Sequence, residues 1–171
     1  MAQEGAQAQH ESCTERKSPS IHSGKAYAHA IRVGPDQDLV STILKGAREA
    51  MALSNSEAAF VMTAVGSLKE VTLRMASANR QDGTASNDIK TWKENVEIVS
   101  LVGTLTGISK HLHMCISKAD GSTVGGHLIS GKVFTTLELV IGTIEGVTFK
   151  REMDGSTGFN ELVVSKKARI D

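Results

Sequence analysis

Between His111 and Leu128 the chain reads HLHMCISKADGSTVGGHL, which gathers three of its six histidines into one short stretch. Imidazole is the commonest metal ligand among side chains, and the spacing here suits a single cation. Side chains alternate along a β-strand, so His111, His113 and Cys115 project from one side while Leu112, Met114 and Ile116 project from the other. Asp120-Gly121 signals a turn, because glycine tolerates positive φ and aspartate bonds its own backbone. A three- or five-residue loop centred on Asp120 sets His127 directly across from His113, on the same face. Their Cβ atoms then lie about 4.5 to 5.5 Å apart, with His111 about 7 Å further along. Three imidazoles so placed can converge on one ion at about 2.0 to 2.1 Å per Zn–N bond. Gly125-Gly126 leaves two outcomes open: it aims His127 at the others, or it forms a bulge that turns His127 to the opposite face.

Zinc is the natural first candidate for three imidazoles, although copper and nickel accept the same donors. Three protein ligands leave a fourth position for water, a substrate or Cys115. Cys115 itself reads as a small hydrophobe more readily than as a nucleophile. The stretch GHLISGK, Gly126 to Lys132, mimics a phosphate-binding loop but fails as one. Val133 stands where magnesium needs a hydroxyl, and the surroundings are β rather than strand-to-helix.

The elements that must position this hairpin can be read on either side of it. Tyr27 to Val33 has the alternation of a first strand, with Arg32 near its end before Gly34-Pro35. From Asp36 or Asp38 the period changes. Leu39, Val40, Ile43, Leu44, Ala47, Ala50 and Met51 fall at helical spacing, and Ser54-Asn55-Ser56 stops the run. Ala58 to Gly66 and Leu68 to Ala76 read as two strands joined at Gly66-Ser67. A polar loop or long hairpin is expected from Asn79 to Lys90, with Asp82-Gly83 inside it and Trp92 as the anchor at its end. Asn95 to Thr106 is strongly β, with Gly103 marking a bulge or close backbone approach and Glu97 an acid inside an apolar strand. Lys132 to Lys150 adds one or two strands broken near Gly142 or Gly146, and Asp154-Gly155 turns into a last strand from Phe159 to Val164. One helix among seven or eight strands makes the class α+β, with a mixed, mostly antiparallel sheet.

Composition bounds the function. The 171 residues are 40% hydrophobic and 22% charged with a formal net charge of zero, which suits one ordinary globular domain, here residues 25–171. Residues 1–24 are polar and expected to be a disordered tail, which makes His10 and His22 poor ligand candidates. Neutral charge argues against a stand-alone nucleic-acid binder. Cys13 and Cys115 form no disulfide framework, and the sequence shows no signal peptide, no apolar run long enough for a membrane span and no lipidation signal. A cytoplasmic protein with no membrane partner is the expectation.

The hairpin HLHMCISKADGSTVGGHL also resembles the central signature of the PPC (plants and prokaryotes conserved) domain family in its stand-alone bacterial and archaeal form. Further matches lie in register: Arg32 before Gly34, Asp38-Leu39 opening the helix, Gly66, the segment Glu97-Ile98-Val99-Ser100-Leu101 with Gly103, and Gly131 followed by Glu138. The resemblance covers about residues 26–150. It implies a sheet flanked by helices, short ones beside the long amphipathic one, and assembly as a homotrimer. It also implies a zinc cluster on the positions of His111, His113 and His127. Cys115 departs from it, since serine is usual there. The plant members carry AT-hooks, and this chain has no Arg-Gly-Arg-Pro core, so DNA binding in the minor groove does not carry over.

Three functional readings follow. The first, favoured over an enzyme, is a zinc-binding homotrimeric module whose small ligand the sequence does not name. The second is a metal-dependent hydrolase using the open metal position, with Glu97 or Glu138 as the general base that the resemblance supports, unless these acids pair with Arg32. The third is a DNA-associated regulatory scaffold like the plant members.

Overall fold

The computed structural model describes residues 20–76 and 88–168. In chain order the elements are β1 (Ala26–Val33), α1 (Leu39–Leu53), β2 (Ser56–Arg74), β3 (Ile89–Trp92), β4 (Val96–Leu105), β5 (Lys110–Ser117), β6 (Thr123–Glu145), β7 (Val147–Asp154) and β8 (Phe159–Lys166). His10, Cys13, Asp82-Gly83 and most of the expected tail lie outside the described residues.

The helix begins where the sequence predicts. Asp38 is its N-cap, and its carboxylate accepts from the Ser41 N–H at 2.7 Å, which satisfies one orphan donor of the first turn. At the other end the Ser54 hydroxyl donates to the Ala50 carbonyl at 2.7 Å, and Asn55 turns the chain at φ 47°. The face made by Leu39, Ile43, Ala47, Ala50 and Met51 is buried, and it packs against β6 and β2. Among the described residues α1 is the sole helix, so the short flanking helices implied by the resemblance are absent there.

The strands form one nearly antiparallel system in which β6, 23 residues long, is the hub. Its first residues pair with β5, its last with β1, and nearly its whole length with β2. Because β2 also pairs with β4 and β4 with β5, the series β2–β4–β5–β6 closes on itself. The closed part encloses Leu68, Leu73, Leu101, Leu105, Leu112, Ile116 and Leu128, all fully buried. The single parallel pairing among the described residues, Glu57 with Thr148, brings the β7–β8 hairpin alongside β2.

Two readings of the sequence are corrected by long-range contacts. The expected pair of strands at 58–66 and 68–76 is one continuous strand, β2. Gly66 does not break it. It sits at φ 141° with the Thr136 carbonyl 2.1 Å from where a Cβ would stand, so the glycine is there to let β6 approach. The expected strand from Lys132 is likewise the continuation of the histidine arm. It runs through Gly142, whose missing Cβ leaves room for the Phe60 ring, and ends at Gly146 with φ 74°. The polar segment also ends earlier than expected, because Ile89 and Lys90 already pair with β2. No helix among the described residues is long and apolar enough to cross a membrane.

Candidate metal centre

The histidine hairpin has the predicted register. His113 pairs with His127, Met114 with Gly126, Cys115 with Gly125 and Ser117 with Thr123, without a shift. Residues 118–122 make the connection, with Gly121 at φ 80° and the Asp120 carboxylate accepting from the Ser122 N–H at 2.9 Å and hydroxyl at 2.6 Å. Leu112, Met114 and Ile116 are buried while His111, His113 and Cys115 alternate with them. The diglycine therefore aims His127 rather than bulging. A Cβ on Gly126 would stand 2.6 Å from the Arg74 carbonyl, so glycine lets β2 close against the hairpin there.

The three rings form a near-equilateral cluster, with centroids 5.1, 5.1 and 5.5 Å apart. His111 Nε2 and His113 Nε2 stand 3.1 Å apart, and one donor atom from each of the three rings falls within 4.8 Å of the others. Two nitrogens on a tetrahedral zinc would lie about 3.4 Å apart, so the His111–His113 pair already has nearly that spacing. The Nδ1 atom of His127 is buried and has no hydrogen-bond partner in the protein. Burial of a bare imidazole nitrogen costs free energy unless something accepts its lone pair or proton, so a cation fits this site.

Burial and nearby positive charge act on two of the rings. Burial, then the charges of Arg74 and Lys110, push the His127 pKa down to about 4. Burial, then Arg151 and His113, lower that of His111, with Glu161 opposing. Both rings are therefore neutral at pH 7, the form that binds metal.

The neighbours that set this field were not apparent in the sequence. Arg74 is the cross-strand partner of His127 on β2, and Thr104 is that of His111 on β4. Arg151 reaches across from β7 and donates from Nη2 to the Thr104 hydroxyl at 2.6 Å. Lys110, beside His111, donates to the Leu128 carbonyl. Together with Ser109, Glu161, Phe159 and Asn160 these residues and the rings of His111 and His127 line a cavity of about 360 Å³. Only a register between distant strands, and the folding back of β7–β8, brings them together.

The other predicted site residues fall elsewhere. Cys115 is half-buried and stands outside the three-histidine group. Glu97 is exposed opposite Ser117, and the Val102 partner of His113 is five residues up the same strand, about 17 Å away at the rise of a β-strand. Glu138 stands directly opposite Arg32 across β1 and β6. That pair lines a second cavity of about 510 Å³ with Val65 and Val140. Within one chain, then, the acids proposed as a general base do not accompany the histidines, and Glu161 is the carboxylate that does.

Residues 22–145 match the Plants and Prokaryotes Conserved (PCC) domain. The chain belongs to that family, the PPC domains. A hypothetical protein of Salmonella enterica is 30% identical and superposes with a TM-score of 0.75, over 86% of this chain and 99% of that one. A metal-containing protein of Archaeoglobus fulgidus is 25% identical with a TM-score of 0.65 over the same shares. Among curated relatives, the bifunctional protein GlmU of a Synechococcus strain is 35% identical over 149 residues, 86% of this chain. This PPC chain spans only 22% of that relative's length.

Proposed function

We propose that this PPC domain is a metal-binding module in which His111, His113 and His127 hold one divalent ion, with zinc the natural occupant. The observation that carries the reading is the convergence of three imidazoles from a single hairpin, one of them with a buried nitrogen that has no partner in the protein. The Archaeoglobus relative, described as metal-containing, supports it. An ion held by three imidazoles keeps an open position that can polarise an oxygen donor of a bound molecule. What the chain adds is two part-buried rings, those of His111 and His127, and a cavity beside them. We further propose that the module works as a homotrimer in the cytoplasm. Met62 and Val65 on β2, and Val99 and Val102 on the adjoining β4, support association between chains, because each leaves more than half of its surface exposed.

A hydrolase remains the second reading, and the specific observation in its favour is Glu161, a carboxylate lining the histidine cavity. DNA is not the proposed partner, since a net charge of zero offers little to a phosphate backbone.

The deciding experiment is elemental analysis of the untagged protein beside His111→Ala and His127→Ala. About one zinc per chain in the parent, lost in both variants, is the expected result. A metal-free parent with variants that fold and melt alike would end the reading.

A further inference from the structure

The cavity over the histidines gathers charge of one sign. Arg74, Lys110 and Arg151 all line it, with Glu161 the single carboxylate among the lining residues. None of the three cations forms an ion pair within 4.0 Å among the described residues, where the pairs present are Lys69–Asp36, Lys90–Asp88, Lys118–Glu94 and Lys167–Glu57. Three like charges around one concave, partly desolvated space repel one another, and the field they focus there attracts an anion.

Two of the three cations are tethered beside the cavity. Arg74 is placed there by the β2 register, which sets it across from His127. Arg151 spends one guanidinium nitrogen on Thr104, which stands opposite His111, and keeps its remaining N–H donors. Lys110 is tethered to the Leu128 carbonyl. Phe159 on β8 supplies apolar wall, and Asn160 and Ser109 supply neutral hydrogen-bonding groups. A volume of about 360 Å³ suits a small metabolite.

We propose that this cavity binds a small organic oxyanion, a carboxylate or a phosphate ester, with its charged group clamped by Arg74 and Arg151 and its body directed toward the histidine cluster. The proposal rests on the metal reading for the floor of the site and adds the class of ligand that enters it. Arginine is suited to this role, because its planar fork matches the oxygens of either group.

The test uses the zinc-loaded full chain, dialysed free of excess metal and titrated calorimetrically at fixed ionic strength. Inorganic phosphate and malonate are the two anionic probes, and malonamide is the neutral analogue. Saturable binding of an anion at one per chain, with none of malonamide, is expected, and the tighter of the two probes tells phosphate ester from carboxylate. Arg74→Gln and Arg151→Gln should each weaken it at least about tenfold, the loss expected from removing one charge-assisted contact, while zinc content stays at the parent level. No saturable binding of either anion to a protein that carries zinc overturns the anion proposal and leaves the metal reading standing. So does affinity unchanged in both arginine variants. A parent that takes up no zinc overturns the metal reading, and this proposal with it.

Discussion

At the scale of single residues, His127 is the most heavily constrained group in the site. It stands across from His113 on one side and Arg74 on the other, and its folded pKa of about 4 lies well below the ordinary 6.5. Between those two values the unfolded chain binds a proton that the folded chain does not, so folding is opposed by acid in that window. Metal-free protein should therefore keep its full stability above about pH 6.5, lose stability as pH falls towards about 4, and lose no more from this group below that. Thermal melts of chelator-treated protein across the window check this. In His127→Gln, which cannot titrate, the same melts should show a shallower dependence on pH. Since Arg74 is the largest cause after burial, Arg74→Gln should move the His127 midpoint upward in an NMR titration of the metal-free protein. An unmoved midpoint would leave the shift to burial and the remaining charges, Lys110 first.

At the scale of elements, the hairpin works because β2 presses on it, and Gly126 is where that contact is tightest. A side chain there must push the Arg74 backbone away, since its Cβ would meet the carbonyl at 2.6 Å. Gly126→Ala should lower unfolding free energy by about 1 to 3 kcal/mol, the usual cost of overpacking, and reduce metal content by displacing β2 from His127. Gly155→Ala is the comparison, because a Cβ there meets nothing within 4 Å and the change should stay within about 0.5 kcal/mol. Denaturant midpoints read both. The same contrast explains what was legible in the sequence. The register of the hairpin followed from a period of two and an Asp-Gly turn, both local. Helix α1 followed from its apolar spacing and Asp38, also local. Gly66 looks like a break from its neighbours alone, because its true reason, the Thr136 carbonyl, lies seventy residues on. Arg74 and Arg151 escaped for the same cause: what makes each a site residue is a partner on a strand far along the chain, and bulges between β2 and β6 shift that register several times.

At the scale of the whole molecule, the closed β2–β4–β5–β6 series hides its core but leaves apolar side chains facing out on β2 and β4. Met62, Val65, Val99 and Val102 are each more than half exposed, on neighbouring strands, a cost in water that association would offset. The three histidines, by contrast, all come from one chain. Assembly and metal uptake should therefore separate. Light scattering on the parent should give three times the 18.2 kDa chain mass, and Val65→Lys, which puts a charge into that face, should shift the mass downward. The Val65→Lys protein should still bind about one zinc per chain, because none of the three imidazoles is borrowed from a neighbour. A parent running at the mass of one chain would end the trimer reading. A dissociated variant that loses its metal would show instead that the centre needs a group from a second subunit, and the open metal position is where that group would sit.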